Sequence, residues 1–338
     1  MKLGRLMGGV VLLVMAMFIF ISEGYAQQKV RLRLASLWPP GDPPNTAAEN
    51  LAKKFNSRVK GYEIVVFPSG QLAKPEEVLD AIRTKTVELG GFPVGVYASV
   101  DPRFAAAEVP LLYNGPEADA AAQKRLLPVY DDILTKRFNA KGVALFTCLG
   151  LELCSRKEVK KLSDWKGLLV HSVSPATSEF LQAMGASPVP MPFAEGYQAM
   201  QRKVVDGTMQ SPQFLVSFKM WEVGKFATKA YLLPASIIYC VNLDVFRSMP
   251  PEVQSALLEA GAEVSQETNE FFVKAWREAF DTLFKNGMKI YAVPQEERER
   301  WRQHIQPAIT RLFEKMGDFG KMVQNIAEEV NKEYPYKQ

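Results

Sequence analysis

The sequence predicts an α/β protein of two lobes that are joined by hinge strands, with long helices at its C-terminal end. Between residues 30 and 92, short apolar runs alternate with helical patterns in a β-α-β-α-β order. This order is typical of a mostly parallel sheet covered by helices. A second unit of this kind spans residues 164 to about 231, and strand-like runs at 142–149 and 236–241 cross between the units.

The length and composition fit two packed cores. The chain has 338 residues, of which 47% are hydrophobic and 23% charged. We assign residues 27–148 together with 236–287 to lobe I and residues 149–235 to lobe II. Residues 288–338 are expected to form C-terminal helices that pack across both lobes. The net charge of +4 is spread over interspersed acidic and basic residues, which does not favour nucleic-acid binding.

Residues 1–26 have the pattern of a signal peptide. Lys2 and Arg5 precede an apolar run that ends at Ile21, and a small-x-small cleavage site ends at Ala26. The apolar run is shorter than the ~20 residues that span a bilayer, although an uncleaved N-terminal anchor stays open as an alternative. We therefore expect a periplasmic protein without stable membrane insertion once the leader is removed.

Lobe I offers candidate ligand contacts at its strand ends. The alternation from Val30 to Leu34 predicts a strand that ends before a proline-rich loop containing Trp38. The third strand of this unit, residues 87–92, ends at Phe92. Ligands of open α/β sheets bind at the carboxyl ends of strands, so Trp38 and Phe92 are candidate ligand-binding residues. Packing in the core is the alternative for both.

Helical spacing marks several further segments. In lobe I, helices are predicted to begin at residue 45 or 46 and at Pro75. A long amphipathic helix is predicted from Pro251 to about residue 286, and another through residues 301–316. The aromatic residues of these last two helices are interpreted as core.

The stretch from Ser163 to Pro212 organises lobe II. Residues 168–170 form an apolar run suited to a buried strand, and Ser174 is an N-cap for a helix that Gly185 can close. The carboxyl ends of the strands in this stretch are expected near residues 171–174, 191–193 and 208–212, which predicts a binding cleft there.

The same stretch contains a set of motif residues: Asp164, Lys166, Gly167, the run from Gly185 to Phe193, Glu195, Tyr197, the run from Ala199 to Gln201, and the run from Val204 to Gly207. In these residues the stretch resembles the solute-binding proteins of tripartite ATP-independent periplasmic (TRAP) transporters, dicarboxylate-receptor branch. The resemblance extends over essentially everything after the leader. It implies a two-lobed periplasmic binding-protein fold whose interlobe cleft captures a small organic solute, with delivery to TRAP permease subunits.

Departures from the family pattern concern the expected ligand contacts. His171 stands where members usually carry an arginine that pairs with a ligand carboxylate, and Glu152 stands near the place of a second arginine. Gln210 corresponds to a polar family residue, and Phe193 to an aromatic residue that packs against the ligand. The candidate ligand-binding residues are therefore Trp38, Phe92, Glu152, His171, Phe193, Gln210, Gln213 and Trp221. The alternatives are an ion pair of Glu152 with Arg156 and a structural hydrogen bond of His171.

These departures predict a ligand that is less anionic than is usual for the family. An unpaired carboxylate in a closed cleft would lose several kcal/mol of solvation. A neutral, zwitterionic or cationic organic solute fits better, and a carboxylate bridged through a metal ion is the alternative. No catalytic residue, metal site or cofactor is predicted, and we expect no enzyme. A periplasmic enzyme with Glu152 and His171 as an acid–base pair stays as the alternative function, and a sensor or chaperone-like role as a third.

The chain after the leader contains three cysteines, Cys148, Cys154 and Cys240. Their spacing matches no metal-binding pattern, and we interpret them as small core residues. A disulfide from Cys240 to either of the others is the alternative, since a periplasmic location permits one.

Overall fold

A computed structural model describes residues 29–148, 150–192 and 195–337, and the expected leader lies outside them. The strands are β1 Val30–Ala35, β2 Tyr62–Phe67, β3 Leu89–Pro93, β4 Ala140–Thr147, β5 Glu152–Ser155, β6 Leu169–Ser172, β7 Ser187–Pro190, β8 Gly207–Gln210, β9 Phe226–Lys229, β10 Ser236–Asn242 and β11 Lys289–Ala292. The α-helices are α1 Pro43–Arg58, α2 Val78–Arg83, α3 Pro116–Arg137, α4 Pro175–Ala183, α5 Gly196–Gln201, α6 Pro212–Ser217, α7 Leu243–Ser248, α8 Pro251–Lys285, α9 Gln295–Met316 and α10 Asp318–Glu333.

Two mixed sheets form the centres of two lobes, which confirms the predicted α/β fold. The first sheet has the order β2-β1-β3-β10-β4, and the second has the order β11-β9-β5-β8-β6-β7. In the first sheet β1 is parallel to β2 and β3, whereas β10 runs antiparallel to both of its neighbours. The antiparallel β10 is the return strand, which re-enters the first sheet from the second lobe.

Two connectors join the sheets. Residues 148–151 lead from β4 to β5, and residues 230–235 lead from β9 back to β10. Their backbones are paired, since the Cys148 amide donates to the Ala235 carbonyl at 2.9 Å and the Leu151 amide to the Leu233 carbonyl at 2.8 Å. These paired connectors form the hinge between the lobes.

The long helix α8 contacts both halves of the molecule. Its N-terminal half packs on β4 and α1, and its C-terminal half packs beside α6 and β11. The bounds of α8 match the predicted segment closely. For residues 288–338 we expected only helices. This segment instead begins with strand β11, which joins the second sheet. None of the helices within the described ranges is both long and apolar enough to cross a membrane.

The predicted first residues of two helices differ from those in the structure. Helix α1 begins at Pro43 rather than at residue 45 or 46, and α2 begins at Val78 rather than at Pro75. Before α2, the Glu77 and Val78 amides both donate to the Lys74 carbonyl, so residues 74–77 form a turn that leads into the helix. Ser174 caps α4 as predicted, because its hydroxyl accepts a hydrogen bond from the Thr177 amide at 3.1 Å.

All three cysteines are free thiols. Cys154 and Cys240 are fully buried core residues, and Cys148 is half-buried at the start of the first connector. Burial raises the pKa of both the Cys148 and Cys154 thiols to about 12. The disulfide alternative is therefore wrong for this structure.

Candidate functional site

The carboxyl edges of the two sheets meet at the connectors. Because β10 is antiparallel to β3, with Ile237 opposite Pro93, the end of β3 lies where the second connector enters the first sheet. Because β5 is antiparallel to β8, with Glu152 opposite Gln210, the end of β8 lies where the first connector enters the second sheet. Ligands of open α/β sheets bind at such edges, so the expected cleft is between these two edges, next to the hinge.

Two glutamine side chains at the end of β8 have unpaired amide groups. Gln210 is the last residue of β8 and is 1% exposed, and Gln213 lies in the first turn of α6. Among the described residues, neither Nε2 of Gln210 nor Nε2 and Oε1 of Gln213 have a hydrogen-bond partner, although all three atoms are buried. An unpaired buried polar group costs about 1–3 kcal/mol. Unpaired amide groups on two residues so near in the chain favour a hydrogen-bond partner from outside the chain.

His171 is fully buried in lobe II and uses both ring nitrogens there. Nε2 lies 3.2 Å from the Met191 carbonyl, which can only accept, so Nε2 carries the proton. Nδ1 therefore accepts from the Thr208 hydroxyl at 2.9 Å. Burial lowers the pKa of His171, so the ring is neutral at pH 7. This geometry favours the structural hydrogen bond over a direct ligand contact.

Glu152 is bonded to backbone amides of the second connector. Its carboxyl accepts from the Ala230 amide at 3.1 Å through both oxygens and from the Tyr231 amide at 2.7 Å. Burial outweighs these bonds and raises the pKa of Glu152 to about 8. The ion pair with Arg156 is wrong, because Arg156 instead contacts Asp206 at 3.2 Å.

Glu152 and His171 lie on one face of the second sheet but have separate partners. Both are in register with residues of β8, since Glu152 lies opposite Gln210 and His171 beside Thr208. The carboxyl is bonded to the connector amides, and the imidazole to the Thr208 hydroxyl and the Met191 carbonyl. An acid–base pair requires a direct hydrogen bond or a shared reacting atom, and these contacts do not supply it.

The aromatic candidates occupy different surroundings. Phe92 is fully buried in lobe I and packs edge-on against Tyr97 with 4.7 Å between the ring centroids, which favours the core alternative. Trp38 is half-buried in the loop after β1. Trp221 is half-buried in the 3-10 helix Met220–Glu222, one helix beyond the end of β8. Phe193 lies outside the described residues.

The sequence analysis missed a carboxyl between the lobes. Glu108 ends the 3-10 helix Pro102–Glu108 of lobe I, and its Oε2 accepts from the Ser174 hydroxyl of lobe II at 3.4 Å. The signal was available, because an acidic residue directly before Val109-Pro110 stands inside an apolar stretch that runs from Phe104 to Tyr113.

A buried polar network at the hinge was also missed. Asp119 of α3 accepts hydrogen bonds from Gln123, from the Thr147 hydroxyl at 2.7 Å and from the Tyr231 hydroxyl at 2.6 Å. Burial raises the pKa of Asp119 to about 6. Arg298 of α9, which is 4% exposed, donates to the Tyr113 carbonyl at 2.6 Å and to the Ala230 carbonyl at 2.8 Å. These contacts join lobe I, the second connector and α9.

Two of the cavities lie outside the set of candidate residues. One of about 360 Å³ is lined by residues 114–118, 229–231, 276, 277, 280, 281 and the C-terminal tail, and it borders the second connector at Ala230. The other, of about 1020 Å³, is a groove between α3 and α8. None of the seven candidate residues that the structure describes lines either cavity. Within the described part of the chain, no cluster of three or more His, Cys, Asp or Glu side chains could hold a metal ion.

Comparison with known proteins identifies the family. Residues 34–316 match the family described as bacterial extracellular solute-binding protein, family 7. The C4-dicarboxylate-binding periplasmic protein of Rhodobacter capsulatus is 26% identical over 330 residues, which are 93% of this chain and 94% of that protein. The 2,3-diketo-L-gulonate-binding periplasmic protein of Escherichia coli K12 is 26% identical over 249 residues, or 71% of this chain and 75% of that protein.

Solved structures share the fold. A TRAP periplasmic solute-binding protein from Ochrobactrum anthropi superposes with a TM-score of 0.83 at 22% identity, covering 91% of this chain and 97% of that one. A Bordetella pertussis extracytoplasmic solute receptor that binds pyroglutamic acid gives a TM-score of 0.77 at 24% identity, with 88% and 99% covered.

The family match spans most of the chain, and it confirms the resemblance on which the sequence analysis relied. The expected class of function, an extracytoplasmic receptor of the TRAP type for a small organic solute, is confirmed with it. Members of this family bind solutes and are not enzymes. The chain therefore belongs to family 7 of the bacterial extracellular solute-binding proteins.

Proposed function

We propose that this chain captures a small organic solute between its lobes and delivers it, chemically unchanged, to the membrane permease subunits of a TRAP transporter. On this proposal residues 1–26 are a cleaved leader, and the mature protein works in the periplasm. Closure of the two lobes about the paired connectors would enclose the solute, as in other hinged binding proteins.

The observation that carries the proposal is the pair of unpaired amides at the end of β8. Gln210 offers a donor, and Gln213 offers a donor and an acceptor; none of these three atoms has a partner among the described residues. Their position at the carboxyl edge next to the hinge is where a solute of this fold class is expected to bind. A solute with both acceptor and donor groups would satisfy them.

The charge of the surroundings supports a ligand that is less anionic than a dicarboxylate. His171 is buried and neutral, so the position of the family arginine supplies no positive charge. The Glu152 carboxyl is bonded to the connector amides and supplies no positive charge to a ligand carboxylate. Without a guanidinium at either position, a ligand carboxylate would lose several kcal/mol of solvation without an ion-pair partner there.

Calorimetry with the purified mature protein tests this function. The solute that co-purifies is identified by mass spectrometry, and its binding is measured for the wild type, Gln210→Ala and Gln213→Ala, with the exposed Glu259→Gln as control. Loss of hydrogen bonds worth about 1–3 kcal/mol should weaken binding about 5- to 100-fold in the two glutamine variants and leave the control unchanged.

Three outcomes would contradict parts of the proposal. Unchanged affinity in both glutamine variants would contradict the site. Micromolar binding of succinate that His171→Ala does not diminish would contradict the inference about ligand charge. Recovery of a chemically altered solute would favour the enzyme alternative.

A further inference from the structure

Glu108 brings a carboxyl group into the cleft from the side of lobe I. A Cβ placed on Gly95, the second residue after β3, would lie 2.5 Å from Oε1 of Glu108, so this carboxyl rests against the backbone at the edge of the first sheet. Its other oxygen is 3.4 Å from the hydroxyl of Ser174, the second residue after β6 in the second sheet. The carboxyl therefore lies between the two edges that face each other.

The position of Glu108 depends on the absence of a side chain at residue 95. Any larger residue there would collide with both Oε1 and Cδ of the carboxyl. In the opposite lobe, the Ser174 hydroxyl also accepts from the Thr177 amide at 3.1 Å and contacts the Thr177 hydroxyl at 2.9 Å. Among the described residues, Glu108 thus contacts a hydroxyl group but no cation.

Other acidic side chains of this chain have stronger partners. Asp101 is paired with Arg103 at 2.6 Å and also with Arg137, and Glu88 is paired with Arg33 at 2.8 Å. Within residues 29–148, 150–192 and 195–337, Glu108 takes part in no ion pair, and its hydrogen bond comes from one hydroxyl. Burial raises the pKa of Glu108 to about 7, which is the expected response of a carboxyl without a cation.

We propose that Glu108 is the counter-charge for a basic nitrogen of the bound solute, an ammonium or amidinium group that completes the interlobe contact with Ser174. This inference rests on the proposed receptor function and extends it by naming the solute class: a cationic or zwitterionic nitrogen compound. A positive group within about 4 Å favours the ionised carboxylate and forms a charge-assisted hydrogen bond with it. The amides of Gln210 and Gln213 then contact the uncharged or anionic part of the same solute.

The test compares the wild type, Glu108→Gln and the exposed control Glu259→Gln. Each mature protein is equilibrated with a hydrophilic bacterial metabolite extract, and the retained solutes are identified by mass spectrometry. We expect the wild type and the control to retain a solute with a basic nitrogen. Calorimetry with that solute should show at least tenfold weaker binding by E108Q, and Glu108→Asp, which keeps the charge, should lose less than E108Q.

The outcomes separate this inference from the receptor function. Retention of a solute that lacks a basic nitrogen, or binding by a folded E108Q within twofold of the wild type, overturns the role of Glu108 and leaves the receptor function standing. If E108Q does not fold, the solutes retained by the wild type decide: retention of a solute without a basic nitrogen overturns the inference. If the wild type retains no solute at all, the receptor function fails and the inference fails with it.

Discussion

The imidazole of His171 has no hydrogen-bonding capacity left for a further partner. Its donor nitrogen contacts the Met191 carbonyl and its acceptor nitrogen the Thr208 hydroxyl. Gly196 closes the ring in, because a Cβ at that position would come within 2.7 Å of Nδ1. A residue that looks like a replacement for an arginine in the sequence is therefore held as part of the core of lobe II. On the proposed function, His171 affects ligand choice by leaving this position without a positive charge.

Glu152 gives the first prediction, which concerns pH. Its pKa is raised from the ordinary value of 4.5 to about 8 by burial, so between pH 5 and 8 the folded chain keeps a proton that the unfolded chain has released. The stability that this group contributes is therefore lost as the pH rises through that window. In Glu152→Gln this loss is absent, so the unfolding free energy of the wild type minus that of the variant should fall by about 1–4 kcal/mol from pH 5 to pH 8.

Urea denaturation at several pH values measures this difference. The contributions of Asp119 and Glu108, whose pKa values are also raised by burial, are present in both proteins and cancel. The exposed control Glu259→Gln should keep a constant difference from the wild type. If the unfolding free energy of the wild type minus that of Glu152→Gln stays constant or rises toward pH 8, Glu152 titrates near its ordinary range.

At the scale of elements, α8 is pressed closely against β4. Gly261 faces this contact, and a Cβ there would lie 2.8 Å from the Val143 carbonyl carbon and closer still to its oxygen. The obstacle is strand backbone, which cannot rotate away as a side chain could. One glycine in the middle of a 35-residue helix thereby fixes the distance between the helix and the first sheet.

The second prediction follows from this contact. In an exposed helix interior, a change from glycine to alanine stabilises by about 1 kcal/mol. Gly261→Ala should do the opposite and lower the unfolding free energy by about 1–3 kcal/mol, because α8 must shift away from β4. Ser255→Ala, at an exposed site of the same helix, should be neutral or slightly stabilising in the same denaturation experiment. A gain in stability for Gly261→Ala would mean that α8 lies farther from the sheet.

At the scale of the whole molecule, Arg298 joins parts that are far apart in the chain. Its guanidinium donates to the Tyr113 carbonyl of lobe I and to the Ala230 carbonyl of the second connector, and it stacks on the ring of Tyr336 with 4.9 Å to the centroid. Burial lowers its pKa to about 10, so it remains charged at neutral pH. The planar fork of arginine suits two carbonyls at once, which an ammonium group cannot match.

The third prediction tests this junction. Arg298→Ala leaves two buried carbonyls without donors and should lower the unfolding free energy by about 2–5 kcal/mol, and Arg298→Lys should recover only part of that loss. The neighbouring Arg300 is exposed and pairs with the exposed Glu296 of α9, so Arg300→Ala should cost less than about 1 kcal/mol. Equal, small losses in Arg298→Ala and Arg300→Ala would refute the role of Arg298.

Local patterns in the sequence predicted much of this fold. The Ser174 cap, the left-handed Gly185 with φ of 89° and the length of α8 follow from residues close together in the chain. Helix α3 was not predicted, because its small alanines give little periodicity and Pro128 lies inside it. The partners of Glu152 and His171 depend on strand register and on connector amides remote in sequence, which no local pattern contains. Gln210 could be named because it directly follows a recognisable motif.

The free state of the three thiols has a consequence for how this protein can be made. No covalent cross-link ties one lobe to the other, so the final shape does not depend on an oxidant or on a disulfide isomerase. A version that begins after residue 26 can mature in a reducing cytoplasm as well as outside it. The yield of folded protein there would depend on noncovalent folding alone.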